Sequence, residues 1–141
     1  MNLLYETGKI KKPIDVKGRE IDSRILTGLC IKASLEKKAQ DLVILDLSGI
    51  SIFADYFVIC SGSSTRQVKA IADEIEMSLS RMKIEPDHVE GAAEGRWILM
   101  DYGDTVVHVF LEEIRQYYRL ERLWGDAPHL TQEQILSSYA P

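Results

Sequence analysis

Asp55-Tyr56-Phe57-Val58-Ile59-Cys60-Ser61-Gly62-Ser63-Ser64-Thr65-Arg66-Gln67-Val68 is the stretch that decides the fold. Tyr56 to Cys60 is rich in aromatic and β-branched side chains, the composition of a strand that packs on a pleated surface. Ser61-Gly62-Ser63-Ser64 interrupts that run. Ser64 followed three residues later by Gln67 is a capping-box pattern, in which the serine oxygen accepts from an early helix amide while the glutamine reaches back. Val68, Ile71, Ala72, Ile75, Leu79 and Met82 then recur at helical spacing, with Arg66, Lys69, Asp73, Glu74 and Glu76 mostly off that stripe. A strand that turns directly into an amphipathic helix predicts an α/β fold.

Working outward, Asp22 or Ser23 can cap an earlier helix that runs to about Lys38, with Leu26, Leu29, Cys30 and Ala33 on its apolar side. The nearly continuous apolar run Leu42-Val43-Ile44-Leu45, inside residues 41–47, fits a strand covered on both faces. On the other side, Pro86 closes this strand–turn–helix unit, and residues 84–89 have room for a short third strand. Residues 91–95 form a turn-rich link. Residues 96–101 and 105–111 are two strand-like runs around Tyr102-Gly103-Asp104. Gly103-Asp104 suits a two-residue hairpin turn, because glycine tolerates positive φ. A last helix over residues 112–123 stops before Gly125 and Pro128. The order predicts a single mixed β-sheet with packed helices. Residues 1–21 read as an N-terminal extension, 22–128 as the domain, and 129–141 as a surface tail with room for a short helix after Thr131.

Composition narrows the function classes. The 141 residues carry 17 Lys plus Arg against 22 Asp plus Glu, a formal charge of −5. That balance argues against broad binding to a phosphate backbone, and hence for little or no direct nucleic-acid contact. It leaves room for a basic protein partner, since opposite charges speed encounter. Cys30 and Cys60 both sit in apolar runs and read as reduced core thiols. His88, His108 and His129 are scattered, so no metal site is expected. No apolar run approaches the roughly 20 residues that span a bilayer, and no signal pattern opens the chain. The cytoplasm is the expected location, and no cofactor is expected.

Three constellations could carry function. The Gly62-Ser63-Ser64 junction puts free amides at a helix start, where a phosphate can bind. It lacks the Walker lysine, and a plain helix cap is the better reading. The junction is like the Gly-Ser turn of nucleotidyltransferases, whose chemistry needs converging carboxylates on magnesium. No Asp-x-Asp strand follows. Asp87 and Glu90 are three apart and would point to opposite faces of a strand. A divergent nucleotidyltransferase is therefore the alternative, not the leading reading. A hydrolase built on Ser63, His108 and Asp101 or Asp104 lacks the Gly-x-Ser-x-Gly elbow.

The third constellation is the hairpin. With Gly103-Asp104 as the turn, Tyr102 faces Thr105 and Trp97 faces Phe110. One face then carries Ile98, Met100, Tyr102, Thr105, Val107 and Val109. The other carries Trp97, Leu99, Asp101, Val106, His108 and Phe110. Both are largely apolar, so each needs a cover. One falls to the protein's own helices. For the other, a loop, a second copy, a different protein and the terminal segments all remain open.

Two further runs join the opening stretch in a recognisable set: Glu94-Gly95-Arg96-Trp97-Ile98-Leu99-Met100-Asp101-Tyr102-Gly103-Asp104-Thr105-Val106-Val107-His108-Val109-Phe110, and Arg115-Gln116-Tyr117-Tyr118-Arg119-Leu120-Glu121-Arg122-Leu123-Trp124. In these three ordered motifs, within residues 23–128, the chain resembles the ribosomal silencing factor (Iojap-related) family. The resemblance implies a nucleotidyltransferase-like fold without the catalytic carboxylates, and a binding protein rather than an enzyme. It implies binding to the large ribosomal subunit through its ribosomal protein fourteen, which blocks joining of the small subunit and lowers translation when nutrients run short. It also implies a possible homodimer. By that analogy the partner-binding residues are Trp97, Leu99, Met100, Asp101, Tyr102, Asp104, His108 and Phe110.

Overall fold

The computed structural model describes residues 21–137. The segment expected as an N-terminal extension lies outside them apart from Ile21, which is buried in the core. Asp22 caps helix α1 (Ser23–Glu36), its carboxylate accepting from the Arg24 amide at 2.7 Å. Strand β1 (Gln40–Asp46) follows and pairs antiparallel with β2 (Tyr56–Gly62). Helix α2 (Thr65–Ser80) leads to the short β3 (His88–Glu90). Then come the hairpin strands β4 (Trp97–Asp101) and β5 (Thr105–Leu111). Two short helices, α3 (Glu112–Tyr118) and α4 (Leu120–Leu123), precede β6 (His129–Leu130) and α5 (Gln132–Leu136).

The six strands form one mixed sheet in the order β3-β4-β5-β2-β1-β6. Its centre is the parallel pair β2–β5, from Tyr56 opposite Thr105 to Gly62 opposite Leu111. Every residue of β2 is buried, as its unbroken apolar run requires for a strand covered on both faces. Both edges are short, which leaves little unpaired backbone to template aggregation.

Alternation along the strands divides the core in two. One face carries Val58, Cys60, Ile98, Met100, Tyr102, Val107 and Val109, and α1 and α2 cover it with Leu26, Cys30, Ile31, Val68, Ile71, Ile75 and Leu79. A buried hydroxyl pair, Thr27 with Thr105 at 2.8 Å, ties α1 to the start of β5. The other face carries Leu45, Phe57, Ile59, Leu99, Val106 and Phe110, and Leu120, Ala127, Ile114 and Trp124 cover it from the chain's C-terminal third.

Three local expectations change. Ser64 accepts from the Gln67 amide at 3.1 Å, but Gln67 reaches back to the amide of Ser63, one residue early, at 2.7 Å. The box is therefore offset, and the Gln67 amide nitrogen is free to donate to the Lys37 and Lys38 carbonyls at the end of α1. The last helix is not continuous: Arg119 adopts φ 47°, ψ 54° and separates α3 from α4. The reversal turns Leu120 back onto the sheet, where it is buried. Residues 129–137 hold the short helix expected after Thr131, and they also join the sheet and the core. Leu130 and His129 pair with Ile44 and Leu45, and Ile135 is fully buried against the α1 side of the core. A single apolar residue at the right place in a polar stretch, with the Thr131–Gln134 capping box in front of it, suffices to seat this turn of helix. Among the described residues no helix is long and apolar enough to cross a membrane.

Candidate functional site: an aromatic ladder on the covered sheet face

The hairpin has the register expected from its turn. Trp97 pairs with Phe110, Leu99 with His108 and Asp101 with Val106. The Tyr102 amide donates to the Thr105 carbonyl at 2.9 Å, and Gly103 takes φ 89°. Trp97, Leu99, Val106, His108 and Phe110 accordingly share one face.

The protein itself covers most of that face. Leu99, Met100, Tyr102, His108 and Phe110 are each at most 2% exposed. These five of the expected partner-binding residues therefore lie in the core of the described structure, not on its surface. Met100 and Tyr102 lie on the opposite face, under α1 and α2. Asp101 is also buried, and its carboxylate accepts from the Gly103 amide at 2.8 Å, closing the hairpin turn rather than offering a charge outward. Asp104 is half-buried, and its carbonyl accepts from the Asp55 and Tyr56 amides at 2.7 and 3.1 Å. Of the expected set, Trp97 and Asp104 alone retain substantial exposure.

Trp97 is the hinge between core and surface. Its indole stacks on Phe110 at a ring-centroid distance of 4.8 Å and 28°. It also meets Tyr118 at 5.1 Å, and Tyr118 meets Tyr117 edge-on at 5.1 Å. The series Phe110, Trp97, Tyr118, Tyr117 climbs from a fully buried ring to one that is 79% exposed. Each neighbouring pair falls inside the range in which aromatic contacts are favourable. Leu123 is exposed as well, and Trp124 is half-buried against Phe57 at 5.8 Å. Exposed rings seated on buried ones have the makeup of interface anchors.

Tyr117, Tyr118 and Leu123 lie outside the hairpin and extend the exposed apolar surface beside it. Tyr117 and Tyr118 are adjacent aromatic residues flanked by the polar Gln116 and Arg119, so the apolar stripe expected of a core-facing helix is not what this stretch spells.

Arg115 holds the ladder's outer half in place. It is 9% exposed, with Nη1 donating to the Asp41 carbonyl at 2.6 Å and to Ser61 Oγ at 2.8 Å. Its Nε and Nη2 reach the Glu121 carboxylate at 3.0 and 2.9 Å. One guanidinium thus joins α3 to α4 across the Arg119 reversal and pins both to the ends of β1 and β2. A cleft of about 440 Å³ opens beside it, where Arg119 and Arg122 stand among Asp41, Glu112 and Glu121.

Trp97 Nε1 donates to His108 Nδ1 at 3.1 Å. Nδ1 is therefore the acceptor, and the neutral ring carries its proton on Nε2. Burial pushes the His108 pKa down from 6.5 to about 3. Desolvation likewise pushes the Cys60 thiol up to about 12 and raises that of Cys30, so both stay protonated. Ser63 Oγ donates to Gln67 on the exposed helix cap, far in role from the buried His108, and the hydrolase constellation is not assembled. Among the described residues no group of three or more His, Cys, Asp or Glu side chains gathers as a metal site would.

Residues 20–140 match the family profile described as ribosomal silencing factor during starvation. A ribosomal silencing factor of Halalkalibacterium halodurans is 46% identical over 112 residues, covering 79% of this chain and 96% of that one. That of Bacillus subtilis is 53% identical over 93 residues, 66% of this chain and 79% of the relative. A crystal structure of a Chromobacterium violaceum protein superposes with a TM-score of 0.73 at 35% identity, covering 74% of this chain and 88% of its own.

Proposed function

Since the chain belongs to the ribosomal silencing factor family, we propose that it silences by occlusion: it docks on the large ribosomal subunit through ribosomal protein fourteen and thereby blocks the small subunit from joining. The docking surface on this reading is the outer half of the aromatic ladder, Trp97 with Tyr118 and Tyr117, together with Leu123. The carrying observation is the ladder itself, because exposed aromatic rings backed by a rigid buried stack bind with little loss of side-chain freedom. The formal charge of −5 favours encounter with a basic partner. Repression follows from occlusion without any catalytic step, and its timing to nutrient limitation is part of the same proposal, supported by the description of the matched family. Residence in the cytoplasm, where the subunits are, belongs to the same proposal.

Trp97→Ala is the test. Loss of a central aromatic anchor costs about 2–4 kcal/mol, a weakening of roughly 30- to 1000-fold. Co-sedimentation with separated large subunits is expected to fall by that factor, and Tyr117→Ser to weaken it less. Retained co-sedimentation of a folded Trp97→Ala protein would remove the ladder from the docking surface. A second copy of the chain is the competing occupant, supported by a separate exposed apolar loop at Ile50, Ile52 and Phe53. Sizing distinguishes the two, since a dimer that persists in the presence of protein fourteen favours self-association.

A further inference from the structure

We infer that His108 is a positioning residue for Trp97, and that the partner surface opposite this indole is apolar and supplies it no hydrogen-bond acceptor. The inference rests on the docking role proposed for Trp97. His108 pairs with Leu99 and Trp97 with Phe110, so the two side chains are diagonal neighbours on one sheet face. The indole N–H donates to His108 Nδ1 at 3.1 Å, while Phe110 stacks on the ring and Tyr118 flanks it. Packing alone leaves an aromatic ring free to slide in its plane. A directed hydrogen bond removes that freedom.

His108 itself cannot meet a partner, being 2% exposed with Phe57 at a ring distance of 4.7 Å. It acts through Trp97. Its neighbours on the same strand face, Val106 and Phe110, are apolar, and an apolar side chain at 108 would satisfy the same core. The imidazole instead brings a buried Nε2–H with no acceptor among the described residues. Leaving such a donor unpaired is costly. Beside ring contacts that an apolar aromatic side chain could also make, the ring supplies the acceptor at Nδ1. Because an indole has a single polar atom and that atom is engaged inside the protein, the exposed part of Trp97 is carbon only. A partner therefore gains by burying apolar surface against it, and a polar group placed opposite would be stranded.

The test is a double-mutant cycle. His108→Leu removes the acceptor, His108→Asn offers Oδ1 in the place of Nδ1, and Trp97→Phe removes the N–H. His108→Leu is expected to weaken large-subunit binding about tenfold, and His108→Asn less than threefold. In the Trp97→Phe background His108→Leu is expected to change binding by less than twofold, since no N–H remains to be held. In free protein carrying Trp124→Phe, so that Trp97 is the one tryptophan, His108→Leu is expected to lower the emission anisotropy while His108→Asn preserves it. Equal losses from His108→Leu in both backgrounds, or unchanged anisotropy, overturn the positioning role. The anisotropy readout involves no ribosome. If Trp97→Ala leaves binding whole, the docking role falls separately from the Trp97–His108 coupling.

Discussion

Replacing Arg115 with alanine should loosen the C-terminal cover from the sheet without unfolding the sheet. The guanidinium makes four contacts, two to Glu121 and one each to the Asp41 carbonyl and Ser61 Oγ. Breaking a fully buried ion pair costs about 3–5 kcal/mol, chiefly because the abandoned charge cannot rehydrate. Here the Glu121 side chain is 27% exposed against 10% for Arg115, so the carboxylate recovers part of its hydration. Asp41 is exposed, and its carbonyl finds water as well. Ser61 is the one partner left in a dry place. The expected loss is therefore about 2–3 kcal/mol, below the range for a fully buried pair. Arg115→Lys should recover less than half, because an ammonium cannot bridge two helices and two strands at once. Urea denaturation followed by tryptophan emission gives the global figure. Hydrogen exchange then shows whether the amides of α3 and α4 open ahead of those in β2 and β5, as a locally released unit must. A loss under about 1 kcal/mol, or uniform exchange across the chain, would refute the view that this one side chain seats the cover.

Two more perturbations separate local from global causes. The His108 pKa lies at about 3 in the folded protein, whereas an unfolded chain titrates near 6.5. The unfolded state thus binds more protons between those values. Stability is complete above about pH 6.5 and falls as the pH drops towards 3, by about 2 kcal/mol between pH 7 and pH 5 from this group alone. Denaturation midpoints at the two pH values check it, and His108→Asn should remove that part of the slope. Gly91 sits at φ 84° with an added Cβ only 2.0 Å from the Trp97 carbonyl oxygen, so Gly91→Ala must displace backbone at the β3–β4 turn. A destabilisation of at least about 2 kcal/mol is expected in thermal unfolding, and a near-neutral outcome would show that the turn relaxes freely.

Much of this was legible along the chain. The Tyr56–Cys60 run, the Ser64 cap and the stripe from Val68 to Leu79 each encode their element locally, through composition and period. The Gly103-Asp104 turn fixed the hairpin register, and with it the membership of the two faces. Those properties depend on residues two to four positions apart, so the sequence determined them by itself. What covered each face was not written at that range. Both faces of the hairpin are apolar, and periodicity states that a surface is buried without naming what buries it. Tertiary structure decided it through contacts between distant segments: β5 alongside β2 in parallel, β6 on the far edge, Ile135 in the α1 side of the core, and Arg115 clamping α3 and α4 over Leu99 and Phe110. Once that cover is seated, the hairpin that looked like a binding surface becomes mostly core. Trp97 is the point where it emerges, half-buried between Phe110 in the core and Tyr118 at the surface.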